Sequence, residues 1–360
     1  MTTKRFSQRL PGTRLHQGGA SLVELMIGIT LGLMILAATT TLFVANSRAR
    51  QEREKTSQQF ENGRYASQLL ADDLRLAGYY GEFNPTVLAT PGTLPDPSAF
   101  DSASLMTAMA LPIQGYDDGT TGMPANLVTL LADLRTGTDV LVIRRASTCV
   151  AGAAGCDAVN TTLYTYFQTT LCQNQINNLP ATSQFLIGTT ASQFTSSNSN
   201  VTGAANPPAF LAQKDCATPA IQRSYYTRIY FIANDDQPGD GIPTLKVAEL
   251  GSGAFTISPM VAGIEQLQLE YGLDTDGDGT PDTYTGAPTN ATQWQQVTAV
   301  KIHVLARNLQ TTGGFSDSRT YVLGLNSVGA NNVFGPYNDG YKRHAYSTVV
   351  RLDNVAGRLE

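Results

Sequence analysis

Residues 18–45 read GGASLVELMIGITLGLMILAATTTLFVA, and most of this stretch is apolar and uncharged. From Leu25 to Ala45, over 21 residues, there is no Asp, Glu, Lys or Arg. As a helix this run is about 31 Å long, close to the ~30 Å hydrocarbon core of a bilayer. Glu24 stands directly before it, where a carboxylate is costly unless it has a partner. The sequence therefore predicts one membrane-spanning helix with a functional charge at its head.

A basic segment precedes this helix, and the first 19 positions hold no acidic residue. Its charges are Lys4, Arg5, Arg9 and Arg14. An ordinary secretory signal is cut after its short apolar core, whereas here the glycine and the small residue come before the apolar run. The competing interpretation is an uncleaved signal anchor in which Glu24 is incidental.

The order of basic leader, Gly19, Ala20 and Glu24 resembles the class III signal of type IV pilins. The resemblance implies that a membrane peptidase cuts between Gly19 and Ala20 on the cytoplasmic side and that the new amino terminus is methylated. It implies a cleaved leader at 1–19. The long helix would then occupy 20–77, with its membrane or filament-core segment at 25–45.

Glu24 is expected to have a role in assembly. After cleavage, Ala20 would carry a cationic amine about one helical turn from the Glu24 carboxylate. In a helical bundle with little water, the carboxylate of one subunit can pair with the amine of a neighbour. Leaving either charge alone there costs several kcal/mol, so subunits docked in the wrong register are rejected.

The first helix is expected to continue beyond the membrane. Residues 48–77 contain no proline and are rich in Gln, Glu, Arg, Ala and Leu, which are good helix formers. We predict one helix from about Ser21 to Leu76, ended by the turn at Gly78.

After the helix, the composition favours strands and loops. Runs rich in Val, Ile and Tyr, bounded by Gly, Pro, Asn or Asp, predict strands. They are Thr138–Arg144, Tyr225–Ala233, Pro243–Leu250, Ile264–Leu273, Val297–Leu305 and Tyr346–Leu352. The predicted fold class is α+β: a long N-terminal helix, half transmembrane and half soluble, packed on a β-rich, loop-rich, pilin-like domain at 78–360. That domain is long enough to be one elaborated unit or two subdomains.

Four cysteines lie in the domain expected to be exported. An even number in an oxidising compartment favours disulfides, and four cysteines allow three pairings. The short separation favours Cys149–Cys156, which leaves Cys172–Cys216, although spacing alone does not determine connectivity. Zinc is the competing interpretation, but the sequence has no C-x-x-C and its histidines are distant.

An acidic loop follows the predicted strand that ends at Leu273. Its carboxylates and one backbone carbonyl have the alternate spacing that calcium ligands require. The candidate ligands are Asp274, Asp276, Asp278, Thr280 through its carbonyl, and Asp282. A full EF-hand has Glu at its twelfth position, but residue 285 is Thr. The alternatives are a calcium site and a solvated turn; we favour calcium because clustered carboxylates repel one another without a cation.

Signals for an enzyme or for nucleic-acid binding are weak. Removing the leader leaves 20 basic against 29 acidic residues, opposite to a nucleic-acid surface. No G-x-S-x-G, P-loop or H-E-x-x-H sequence occurs. His303 is interpreted as a hydrogen-bonded strand residue and His344 as a surface residue, so no catalytic residue is proposed.

Patterns in the second half resemble the PilW group of minor pilins. They include Ser224–Tyr230, Gly263–Tyr271, Val300–Asn308 and Tyr346–Asn354. The resemblance implies a low-copy structural subunit at the tip of a type IV pilus, in the complex that primes assembly and helps present a tip adhesin. Its implied partners are other minor and major pilins, the adhesin, the prepilin peptidase and methylase, and the inner-membrane assembly platform.

The same resemblance implies a location. The chain would first be a single-pass inner-membrane protein with a periplasmic C-terminal domain, and then part of an extracellular pilus of a Gram-negative-type bacterium. Alternatives are a minor pseudopilin of a type II secretion system, a membrane-tethered periplasmic enzyme, and a domain that is itself the adhesin.

Overall fold

The computed structural model describes residues 19, 21–117, 122–189, 194 and 210–359. Leader residues 1–18 and Ala20 lie outside this set, so the predicted cleavage bond is not described. The chain divides into two compact units, Met1–Glu54 and Lys55–Glu360, and the boundary falls inside the first helix.

Helix α1 spans Leu22–Arg75, within one residue of its predicted bounds at both ends. Gly78 follows with a φ of +73°, a left-handed conformation that glycine adopts without steric cost. In the first unit, the described side chains of this helix are exposed, apart from the partly buried Glu52. In the second unit, its buried residues include Ala66, Leu70 and Leu74, which form one face.

The first sheet has seven antiparallel strands among the described residues, in the order β1-β2-β5-β3-β4, with β6 also paired to β5 and β7 paired to β6. Its strands are β1 (Ile113–Tyr116), β2 (Val140–Ala146), β3 (Thr165–Thr169), β4 (Phe185–Gly188), β5 (Gln222–Ala233), β6 (Thr244–Leu250) and β7 (Phe255–Ala262). The twelve residues of β5 therefore connect three neighbouring strands.

The second sheet has the order β13-β10-β8-β9, and a separate hairpin pairs β11 with β12. These strands are β8 (Ile264–Leu273), β9 (Thr283–Thr285), β10 (Val297–Arg307), β11 (Tyr321–Leu325), β12 (Asn331–Phe334) and β13 (Arg343–Arg351). Short helices of the described residues lie before, between and after the strands: α2 (Ser102–Ala108), α3 (Ala125–Leu130), α4 (Gln173–Asn178), α5 (Ala291–Gln295) and, after β13, α6 (Asp353–Ala356).

The soluble part of α1 is the part that belongs to the second unit, residues 55–75. The main core lies where this part of the helix meets both sheets. Leu70 and Leu74 belong to one apolar cluster with Ile143 of the first sheet and Leu269 and Val304 of the second. Each buried aliphatic side chain contributes about 1.5–3 kcal/mol relative to exposure. The helix and the two sheets are therefore held together by one continuous core.

The predicted fold class is confirmed: a long N-terminal helix followed by a β-rich domain. All six predicted strands are present, as β2, β5, β6, β8, β10 and β13, and β8 has its predicted bounds. The other seven strands of the described residues were not predicted from the sequence, and most of them are short.

Candidate functional site

The start of α1 is set by a local cap. The Ser21 hydroxyl accepts a hydrogen bond from the N–H of Val23 at 3.2 Å, and the Ser21 carbonyl accepts from Leu25 at 3.0 Å. A serine at this position satisfies a helix donor that otherwise has no partner. The cap places the exposed Glu24 in the first turn, where the helix dipole favours a negative charge.

The apolar stretch behind Glu24 satisfies its own polar side chains. The hydroxyls of Thr39, Thr40 and Thr41 donate to carbonyls three or four residues earlier in the same helix, at 2.7–3.0 Å. Among the described residues, α1 is the one helix long and apolar enough to cross a membrane. A helix that bonds all its polar groups internally suits such an environment.

A buried charge network fixes the soluble part of α1 to the first sheet. The Asp73 carboxylate accepts from Arg145 Nε at 2.7 Å, from Arg228 Nη1 at 3.1 Å and from the Tyr230 hydroxyl at 2.9 Å. Burial, together with the Asp73 charge, raises the pKa of Tyr230, so its hydroxyl stays a donor. This network was not predicted from the sequence, although an Asp directly before Leu74 on the apolar face was a signal.

The acidic loop brings together three of its five predicted ligands. Carboxylate oxygens of Asp274, Asp276 and Asp282 lie within 4.8 Å of one another. Asp274 is buried, and its two oxygens accept from the N–H groups of Gly277 and Gly279 at 2.7 and 2.8 Å. Each carboxylate oxygen has two lone pairs, so Asp274 keeps acceptor capacity for an ion.

The other predicted ligands are used within the loop. Asp278 accepts from the N–H and the hydroxyl of Thr280, at 2.8 and 2.5 Å, and is outside the group of three. Asp276 accepts a long bond from the Asp278 N–H, which lowers its pKa, but the charges of Asp278, Asp282 and Asp274 outweigh this and raise it. The three clustered carboxylates fit a hard cation with oxygen ligands.

Two disulfides lie in the second unit. Cys149 is bonded to Cys156 and Cys172 to Cys216, with Cα–Cα distances of 5.8 and 4.8 Å. These are the pairs that the spacing favoured. No described cysteine is free, so no cysteine set remains for the zinc alternative.

His303 lies at the centre of a hydrogen-bonded group of polar side chains on the second sheet. Its Nε2 is 3.0 Å from Glu270 Oε1 and its Nδ1 is 2.8 Å from the Ser347 hydroxyl, while Lys301 reaches the other Glu270 oxygen at 3.2 Å. Burial lowers the pKa of His303, although Glu270 opposes the shift. His303 is thus a hydrogen-bonded strand residue, and His344 is exposed beside the Phe60 ring.

A comparison with solved structures found a type IV-like pilin from Thermus thermophilus. The two chains are 13% identical, and the match covers 64% of this chain and 91% of the other, with a TM-score of 0.29. A TM-score this low does not establish a shared fold. A comparison with curated proteins found no match.

A comparison with family models gave one informative result. Residues 229–354 match the PilW model, described as the type IV pilus-assembly protein W. The match covers β6 to β13 and the last five residues of β5. It includes β8, β10 and β13, three of the strands whose patterns resembled this group. The C-terminal part of this chain is therefore similar to the PilW family of type IV pilus-assembly proteins.

Proposed function

We propose that this protein is a minor pilin of a type IV pilus, a structural subunit of the tip complex that primes assembly and helps present an adhesin. The observation that carries the proposal is the PilW match at 229–354. An N-terminal helix with the length and composition of a membrane span, headed by Glu24, supports it. The role is structural rather than catalytic.

The proposed mechanism begins with cleavage between Gly19 and Ala20. The methylated amine of Ala20 in one subunit and the Glu24 carboxylate of a neighbour then pair within the helical bundle. The pair forms only when the two helices are in register, because a misplaced helix leaves both charges uncompensated. Subunits would therefore assemble only when their N-terminal helices have the correct axial offset.

The proposed partners and locations follow from this role. Other minor and major pilins would contact α1, and the prepilin peptidase, methylase and inner-membrane platform would act on it before assembly. The second unit would lie in the periplasm and later at the pilus tip beside the adhesin. A minor pseudopilin of a type II secretion system shares this N-terminal logic and is the alternative.

We also propose that the loop after β8 binds calcium. Asp274, Asp276 and Asp282 would hold the ion, whose charge would remove the repulsion among them. The role is structural: the bound ion would fix the connection between β8 and β9.

The mass of the N-terminal peptide of the membrane-derived protein tests the proposed class. We expect a methylated Ala20 terminus in normal cells and an intact leader in cells without the prepilin peptidase. An intact leader in both strains would refute the pilin class. Recovery of the processed protein in sheared pili, and its absence from them when the pilus platform is deleted, would separate a pilus from a secretion role.

A further inference from the structure

Strand β7 is an open edge of the first sheet. It pairs with β6 on one side, and no described strand pairs with its other side. Residues 256–260 are all exposed. Beyond the β6 ladder, residues 255–261 make no backbone hydrogen bond to another described residue. Within the described part of the chain, the outward N–H and C=O groups of this strand therefore have no backbone partner.

Most of the other edge strands of the two sheets are protected. In the first sheet β1 and β4 are mostly buried. In the second sheet β9 has three residues, and β13 has the exposed Arg351 at its end. Natural sheets usually blunt their edges in such ways. Strand β7 has no charged residue, and its irregularities are Pro259 and the shifted register opposite Leu245 and Lys246. These leave Phe255–Ser258 as a regular open edge.

A groove of about 790 Å³ runs between β7 and the soluble part of α1. Alternate β7 residues Thr256, Ser258 and Met260 line one wall, and Tyr65 and Gln68 of α1 line the other. A strand added to β7 would extend the wall that β7 forms, and every second side chain of that strand would face α1.

The charged groups in the groove already have partners. Asp73 pairs with Arg145 and Arg228, and Glu249 also pairs with Arg228. Asp72 pairs with Arg75. An occupant therefore needs no charge on the face that it turns towards the groove, and small polar or apolar side chains fit there best.

We propose that an extended segment of a neighbouring filament subunit adds to β7 as a further strand. The open edge requires an extended occupant, because a helix has already used its own N–H and C=O groups and cannot satisfy a strand edge. The inference rests on the proposed function, which supplies the neighbouring subunits.

Hydrogen exchange tests the proposal on the full chain in detergent micelles, purified alone and co-purified with the pilins of its own system. In the complex, amides of 255–258 should exchange at least about tenfold more slowly. Unchanged exchange there, in a complex that does form, would overturn the proposal. If protection instead rises with concentration in the isolated chain, the occupant is a second copy and the proposed one is wrong.

A charge variant supplies the second measurement. Ser258→Lys adds a positive charge at an exposed position beside the open edge and should reduce both co-purification and β7 protection. Asn331→Lys, on an exposed position of β12, is the matched control and should change neither. Undiminished protection in Ser258→Lys would contradict strand addition. Failure of the wild-type chain to co-purify at all would refute the proposed function and this inference with it.

Discussion

Asp72 and Asp73 are sequence neighbours on α1, yet their carboxylates lie in opposite surroundings. Asp72 is 58% exposed and pairs with the exposed Arg75, whereas Asp73 is 5% exposed and contacts two arginines. A surface pair contributes little because water and salt screen it. A buried group that loses its partner leaves charges that water cannot reach.

Replacing Asp73 with Asn should therefore lower the free energy of unfolding by about 3–5 kcal/mol, because Arg145 and Arg228 would lose their shared carboxylate. Asp72→Asn is the matched control, and it should cost no more than about 1 kcal/mol. Denaturant unfolding of the full chain in micelles measures both. Equal losses would show that the buried network does not hold the helix to the sheet.

Glu24 gives the second prediction at this scale. Glu24→Ala should leave membrane insertion intact, because the apolar stretch is unchanged, but reduce incorporation into filaments. An unpaired amine in the bundle costs about 3 kcal/mol, or roughly a hundredfold in incorporation. Immunoblots of sheared pili and membranes measure the ratio, with Glu54→Ala as the control. Normal incorporation of Glu24→Ala would refute the pairing mechanism.

His303 predicts a pH dependence of stability. Burial holds its pKa below the ordinary value of 6.5, so the folded chain binds this proton less readily than the unfolded chain. The contribution of neutral His303 to the free energy of unfolding is complete above pH 6.5. It is lost as the pH falls towards the pKa of His303 in the folded chain. The groups facing it are Glu270, Lys301 and the Ser347 hydroxyl.

Unfolding free energies measured from pH 7 to pH 5 test this. The wild-type chain should lose more stability over this range than His303→Gln, in which that titration is absent. Parallel curves for the two proteins would show that His303 does not titrate differently in the folded and unfolded states.

At the scale of elements, the connection between β8 and β9 holds its shape through its own hydrogen bonds. The buried Asp274 binds two backbone N–H groups, and Asp282 accepts from the Thr275 N–H at 2.8 Å. Asp276 is different, because its one bond is a long 3.3 Å contact. It can lose its charge without breaking the turn.

Asp276→Asn should therefore separate a metal site from a simple turn. With calcium present, the variant should melt at a lower temperature than the wild type. In excess chelator it should melt at the same or a higher temperature, because a repelling charge has gone. A calcium-independent difference between the two proteins would contradict a metal site.

At the scale of the whole molecule, the two disulfides close loops of different length within the second unit. The bonded cysteines are separated by 7 residues in one case and by 44 in the other. The longer loop restricts the unfolded chain more. The Cys172–Cys216 bond should therefore contribute more to stability.

Replacing Cys172 and Cys216 together with Ala should lower the unfolding free energy by about 4 kcal/mol, against about 2 kcal/mol for Cys149 and Cys156. Chemical denaturation of both double variants under oxidising conditions makes the comparison. The reverse order would show that native contacts, rather than loop closure, dominate these bonds.

Local signals in the sequence determined the long helix, its apolar segment and the central strands. The helix follows from continuous helix-forming residues between the Ser21 cap and the Gly78 turn, and the central strands follow from long β-branched and aromatic runs. Short strands such as β9 were not predicted from the sequence, because strand pairing depends on partners outside the local segment.

Only the tertiary structure decided which charges meet. Asp73 pairs with Arg228, which is 155 residues away in sequence, and His303 is hydrogen-bonded to Ser347, which is 44 residues away. The sheets also decided that β7 ends the first sheet as an open edge, since the position of a strand depends on how every other strand pairs. Periodicity and propensity act within a few residues, whereas pairing is set by packing over the whole core.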